Sequence, residues 1–208
     1  MWYTSFMRKI LCVIMASLSL AGCQNQDIPQ VVETQTFDPA VAVFYDNLNE
    51  IAAEADTAVQ GKTVRLDYFM APNGIIWTKQ KFQVQEVLDG TVSQEAYINI
   101  YRMGGRISID EYLASFPETA QGDLKRNYGS YDKEDLICQV YEDEEAVSIH
   151  QKEVMFLQHC DAFGNEPEDY WRVGGSLGEL FETDEENDVY SGYWGTYSVD
   201  EVRDMILQ

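Results

Sequence analysis

The sequence predicts a mainly β domain, on three observations. Apolar and polar residues alternate over short runs, most clearly in Ala96–Met103 (AYINIYRM). Turn-forming residues separate those runs at Pro72-Asn73-Gly74, Asp89-Gly90 and Gly104-Gly105. Helical periodicity is confined to one stretch before the strands and one after them.

The chain opens with a polar segment whose only charges are Arg8 and Lys9, followed by the uncharged run Ile10–Leu20 (ILCVIMASLSL). As a helix that run is about 16 Å long, half of a bilayer core of about 30 Å. It is too short to span, and it has the layout of a secretory signal. Leu20-Ala21-Gly22-Cys23 then matches the lipobox of bacterial lipoproteins. The thiol forms the thioether to diacylglycerol, and small residues before it let the backbone enter a peptidase site. Two acyl chains anchor stably where one does not. The expectation is a signal peptide over 1–22, lipid on Cys23, and an extracytoplasmic membrane address, with an outer membrane as the alternative surface.

Residues 23–37 (CQNQDIPQVVETQTF) are polar, carry one proline and show no period, so they read as a tether. A single β-rich domain is expected over 38–208. Asp38-Pro39 supplies a helix start, an acceptor followed by proline at the first helical position. Val41, Phe44, Tyr45, Leu48, Ile51 and Ala55 recur at helical spacing, giving an amphipathic helix that ends near Asp56 and packs on a β core.

Val64, Leu66, Tyr68 and Met70 alternate with polar residues as a strand, and Ile75-Ile76-Trp77 reads as its return. Phe82, Val84, Val87 and Leu88 suggest a further strand. Asp110–Leu113 reads as a short helical turn, and Thr119–Tyr131 as a long polar loop. Leu136–Tyr141 and Val154–Leu157 are apolar strand candidates on either side of the acidic run Glu142–Glu145. Leu177–Phe181 is expected to be a last strand. Ser198, with Glu201 at the capping-box position, starts a short C-terminal helix.

Charge limits the partners. The chain holds 14 basic and 36 acidic residues, a formal charge of −22. Cleavage before Cys23 removes Arg8 and Lys9 and no acid, leaving 12 basic against 36 acidic residues, or −24. Nucleic acid is thereby excluded, because its phosphates demand basic patches. Docking on anionic lipid is disfavoured equally, so lipid on Cys23 has to hold the protein at the membrane. Most of the charge reads as a solvated surface that keeps the domain soluble.

Cys12 lies in the signal and Cys23 is the lipid site, so Cys138 and Cys160 remain. Export permits a disulfide between them, and their spacing matches no metal motif. His150 and His159 are the only histidines. A zinc site would need a further protein ligand, so they read as surface or partly buried side chains. No nucleophile signature surrounds Ser148 or Cys160. Asp184–Asp188, Asp132–Asp135 and Glu142–Glu145 are oxygen-rich but lack calcium-loop spacing. No cofactor is expected.

Tyr190, Tyr193, Trp194 and Tyr197, in YSGYWGTY, form the densest aromatic cluster. They either stack against a sugar or peptide or cover an edge of the core. One echo runs through the chain: Tyr101-Arg102-Met103-Gly104-Gly105-Arg106-Ile107 against Trp171-Arg172-Val173-Gly174-Gly175-Ser176-Leu177. It is either a ligand rim shared by two arginines or a pair of similar strand ends.

Ala55–Gly61 (ADTAVQG), Val84–Gly90 (VQEVLDG), the Met103-Gly104-Gly105 turn and Val154–Leu157 (VMFL) resemble, in that order, uncharacterised β-rich lipoproteins of Gram-positive bacteria. More remotely they resemble the netrin-like domain shared with tissue inhibitors of metalloproteinases. The resemblance covers roughly residues 50 to 160 and implies an OB-like five-stranded barrel flanked by helices. The fold expected for the whole domain is an OB-like barrel or small sandwich with an N-terminal amphipathic helix and a short C-terminal helix. Those inhibitors present a free N-terminal cysteine within a Cys-x-Cys start. Here Cys23 is followed by Gln24 and Asn25 and is assigned to lipid, so no functional residue is inherited.

The functional expectation is a lipid-anchored, non-catalytic module that binds a protein or envelope partner. The rival is a surface hydrolase working through carboxylates. Two acids converging in a walled cleft would favour the enzyme, and a packed-down YSGYWGTY would favour the binding module.

Overall fold

The computed structural model describes residues 29–37, 45–141, 147–163 and 166–207. The chain divides after Gln30, and every element below belongs to the unit Val31–Gln208. Cys23 and the signal segment lie outside the described residues.

The fold is mainly β, and its centre is an OB-like barrel. Strands β2 (Thr57–Met70) and β3 (Ile76–Asp89) form a long antiparallel hairpin, and β4 (Tyr97–Met103) returns along β3. β7 (Lys152–His159) lies antiparallel to β2. β8 (Asp169–Arg172) runs parallel to β4 and antiparallel to β7, which closes a circuit of five strands.

The pleat sends alternate residues inward. Val59, Phe82, Val84, Ile98, Ile100, Met155 and Leu157 form the apolar barrel interior. Val154 and Phe156, on the opposite face of β7, build a second core against the flanking helices. Helix α1 (Leu48–Glu54) buries Leu48 and Ile51 there. The C-terminal helix α4 (Val199–Ile206) buries Val199 and Val202, and its Ser198–Glu201 capping box is formed. Between them, β9 (Glu179–Asp184), β10 (Val189–Gly192) and β11 (Gly195–Ser198) extend the sheet beyond β7.

A smaller sheet carries the third core. β1 (Val31–Phe37) pairs in parallel with β6 (Leu136–Tyr141), which pairs antiparallel with β5 (Gly105–Ser108). Its Ile107 and Ile137 pack with Ile76, at the far end of the hairpin, and with helix α2 (Ile109–Ala114).

Gly61 is where β2 bends, at a register shift between Gln60 and Gly61. A Cβ there would stand 2.6 Å from the Phe82 ring and closer still to the Gln83 carbonyl oxygen. Gly61→Ala should therefore cost about 1–3 kcal/mol by overpacking. A denaturant midpoint equal to wild type would show that the strand shifts freely.

Three expectations need correction. Residues 31–37, read as tether, form a strand, because β6 supplies a hydrogen-bonding ladder from more than a hundred residues away. Residues 119–128, read as loop, lie in helix α3 (Glu118–Tyr128), which buries no residue and rests Leu124 and Tyr128 on the third core. The described N-terminal helix begins only at Leu48, because the extended Asn47 accepts from the Glu50 N–H at 3.2 Å and so caps it. The proposed start at Asp38-Pro39 lies outside the described residues.

Candidate functional site

The two glycines after β4 let the chain leave the barrel for the smaller sheet. Gly104 and Gly105 adopt φ of +90° and +140°, values that cost glycine little. They also admit close neighbours. A Cβ on Gly105 would come 2.6 Å from the Tyr68 ring and 2.7 Å from Thr78 Oγ1. Thr78 Oγ1 donates to the Gly104 carbonyl at 2.7 Å. Gln139 fastens β6 to the hairpin by accepting from the Ile76 N–H at 2.6 Å and donating to the Gly74 carbonyl at 3.1 Å.

This switch between sheets leaves a cavity of about 580 Å³. Leu66 and Tyr68 of β2 form one wall, and Cys138, Val140 and Tyr141 of β6 another. Met103, Arg106 and the segment Val147–Ile149 complete the rim. Among the described residues, the only charged side chains lining it are Arg102 and Arg106, and no described aspartate or glutamate does so. Arg106 lies over the Tyr68 ring, 5.7 Å from its centroid. Burial pushes the Cys138 thiol up despite the opposing Arg106 charge, so it is protonated at neutral pH.

Behind the cavity, one end of the barrel interior is polar. Arg102 Nη1 and Arg172 Nη1 reach the two carboxylate oxygens of Glu179, at 3.3 and 2.6 Å. All three side chains are at most 5% exposed. Glu153, fully buried, accepts from Thr63 Oγ1 at 2.9 Å and from Gln80 Nε2 at 3.3 Å. Burial, then the Glu179 charge, raises its pKa to about 7, while Thr63, Arg102 and Gln80 pull it down.

The sequence echo is resolved here. Tyr101 and Trp171 are register partners in the parallel β4–β8 pair, so the arginine after each lies beside its counterpart. The two converge on Glu179 inside the protein, so they form an internal ion cluster in place of a shared rim.

YSGYWGTY is mostly packed down. Tyr190 is fully buried, and its phenol oxygen accepts from Gln60 Nε2 at 2.6 Å. Trp194 and Tyr197 rest against the second core, and only Tyr193, 71% exposed, faces solvent. Cys138 and Cys160 are both free, one on the smaller sheet and one buried after β7, so the possible disulfide is not formed. His150 and His159 are both exposed, at opposite ends of the β7 segment. No group of three or more potential metal ligands occurs among the described residues.

Sequence reading missed an aromatic cluster on the outer barrel face. Phe163 packs against Phe69, Trp77, Tyr101 and Trp171 with centroids 4.7–6.2 Å away. Its members are dispersed over five segments, and only strand parity could have hinted at them. No family model, curated protein or solved structure matches the chain.

Proposed function

We propose that the protein is a lipid-anchored extracytoplasmic lipoprotein that acts as a non-catalytic binding module. The address rests on Leu20-Ala21-Gly22-Cys23 placed directly after a basic flank and a short apolar run. The kinship with β-rich Gram-positive lipoproteins is part of the same proposal.

The observation that carries the binding reading is the separation of the acids from the cavity. A carboxylate hydrolase needs two acids facing each other across substrate. Glu153 and Glu179 do converge, but inside the barrel and against two arginines, while the cavity wall is free of described acids. That arrangement suits holding a ligand.

Cys23→Ser should abolish incorporation of a fatty-acid probe and release the protein from the membrane fraction. Label that persists in the variant would remove the anchor assignment.

A further inference from the structure

The cavity's polar groups divide into spent and unspent. Thr78 and Gln139 are committed to the Gly104 carbonyl, the Gly74 carbonyl and the Ile76 N–H. Arg102 is tied to Glu179 and is 5% exposed. Arg106 is exposed and enters no ion pair among the described residues; its one described partner is the Tyr68 ring. Beside it stands the protonated thiol of Cys138, opposite it in the β5–β6 register. The lining also holds the hydroxyl-bearing residues Tyr68, Tyr141 and Ser148, which can donate or accept, so the one unspent charge among the described lining residues is the Arg106 cation.

The apolar side of the cavity is unusually uncovered. Met103, Val140 and Ile149 are 37%, 42% and 51% exposed, and all three line this one concavity from three separate segments. Large apolar side chains that converge while exposed mark a site awaiting apolar surface, at roughly 25 cal/mol per Å² buried. The volume falls within the range of about 300–1,000 Å³ typical of small-molecule pockets.

We infer that the cavity takes a small amphipathic anion, an alkyl carboxylate, whose chain lies on Met103, Val140 and Ile149 and whose carboxylate meets Arg106. This inference rests on the binding-module reading and gives it a ligand class. Residues 142–146, which join Tyr141 to Val147, lie outside the described residues. Their acids Glu142–Glu145 oppose an anion by charge, so charge is the property the experiment varies.

The full chain carrying Cys23→Ser is titrated calorimetrically with decanoate, decanol and decylamine, each below its aggregation concentration. Decanoate should bind saturably at one site and more tightly than the other two. Arg106→Gln should weaken decanoate about tenfold or more, as expected for a lost charge-assisted hydrogen bond, and leave decanol unchanged. Ile149→Glu should abolish decanoate binding with an unchanged melting temperature, since Ile149 is exposed. Equal or tighter binding of decanol or decylamine overturns the anionic class and leaves a binding cavity standing. Absence of saturable binding by all three overturns the inference together with the cavity as the binding site. A hydrophobic peptide that binds through its C-terminal carboxylate, where decanoate does not, also overturns it.

Discussion

Glu153→Gln should make the protein more stable at pH 8 than the wild type and flatten its stability between about pH 4.5 and pH 7. Glu153 is fully buried, and its pKa is raised from 4.5 to about 7. A carboxyl raised on folding keeps its proton in the native state after the unfolded chain has lost it. Its contribution is complete below the unfolded value and disappears as pH rises through the folded one. The groups facing it are Thr63 on β2, Gln80 on β3, Arg102 on β4 and Glu179 on β9, with Arg172 on β8 reached through Glu179. Of these, burial and Glu179 win over Arg102 and the two donors.

The shift corresponds to an effect on the order of 3 kcal/mol across the window. A glutamine fits the same volume without the charge. Gln80 Oε1 has no hydrogen-bond partner among the described residues, and turning that amide lets it accept from the new side chain. Urea unfolding at several pH values measures the effect. A wild-type curve that rises over this window would mean that Arg102 outweighs burial, and the assignment would be lost.

Glu179→Gln should produce a large loss of stability, about 3–5 kcal/mol, because it removes the carboxylate that two buried guanidinium groups share. Arg102 and Arg172 share one carboxylate and are 5% and 4% exposed, so water cannot take over its role. The same substitution removes one of the two influences that raise the Glu153 pKa. In Glu179→Gln the pH dependence assigned to Glu153 should therefore shrink, and the double variant with Glu153→Gln should be non-additive. Additivity within about 0.5 kcal/mol would show that the two carboxylates do not sense one another. Met103, the exposed neighbour of Arg102 in β4, is the control: its truncation to alanine should leave the pH profile unchanged.

The parts that could be read in the chain share one property, that their signal is local. The β2–β3 hairpin at Pro72-Asn73-Gly74, the alternating strand β4 and the Ser198–Glu201 capping box all announce themselves within a few residues. What escaped was non-local. Nothing within VVETQTF marks it as a strand; its partner β6 lies across the chain. Helix α3 has no buried stripe to give it a period. Of the candidate sites, YSGYWGTY was conspicuous by composition, yet composition cannot tell a ring that is covered from one that is exposed. The cavity drew no notice because its walls come from β2, the β4–β5 turn, β6 and residues 147–149.

By itself, the sequence determined the β class, the capped C-terminal helix and the large negative charge. Each follows from side-chain period, turn chemistry or simple counting. It missed β1, β5, β10 and β11, the last two of which follow the strand expected to be the final one. Only the tertiary structure decided that two arginines 70 positions apart share one carboxylate, that a second buried carboxylate lies beside them, and that a cavity free of described acids opens next to both. Those facts depend on which strands become neighbours when the barrel closes. Closure is settled by the burial of all five strands together, and no single segment encodes it.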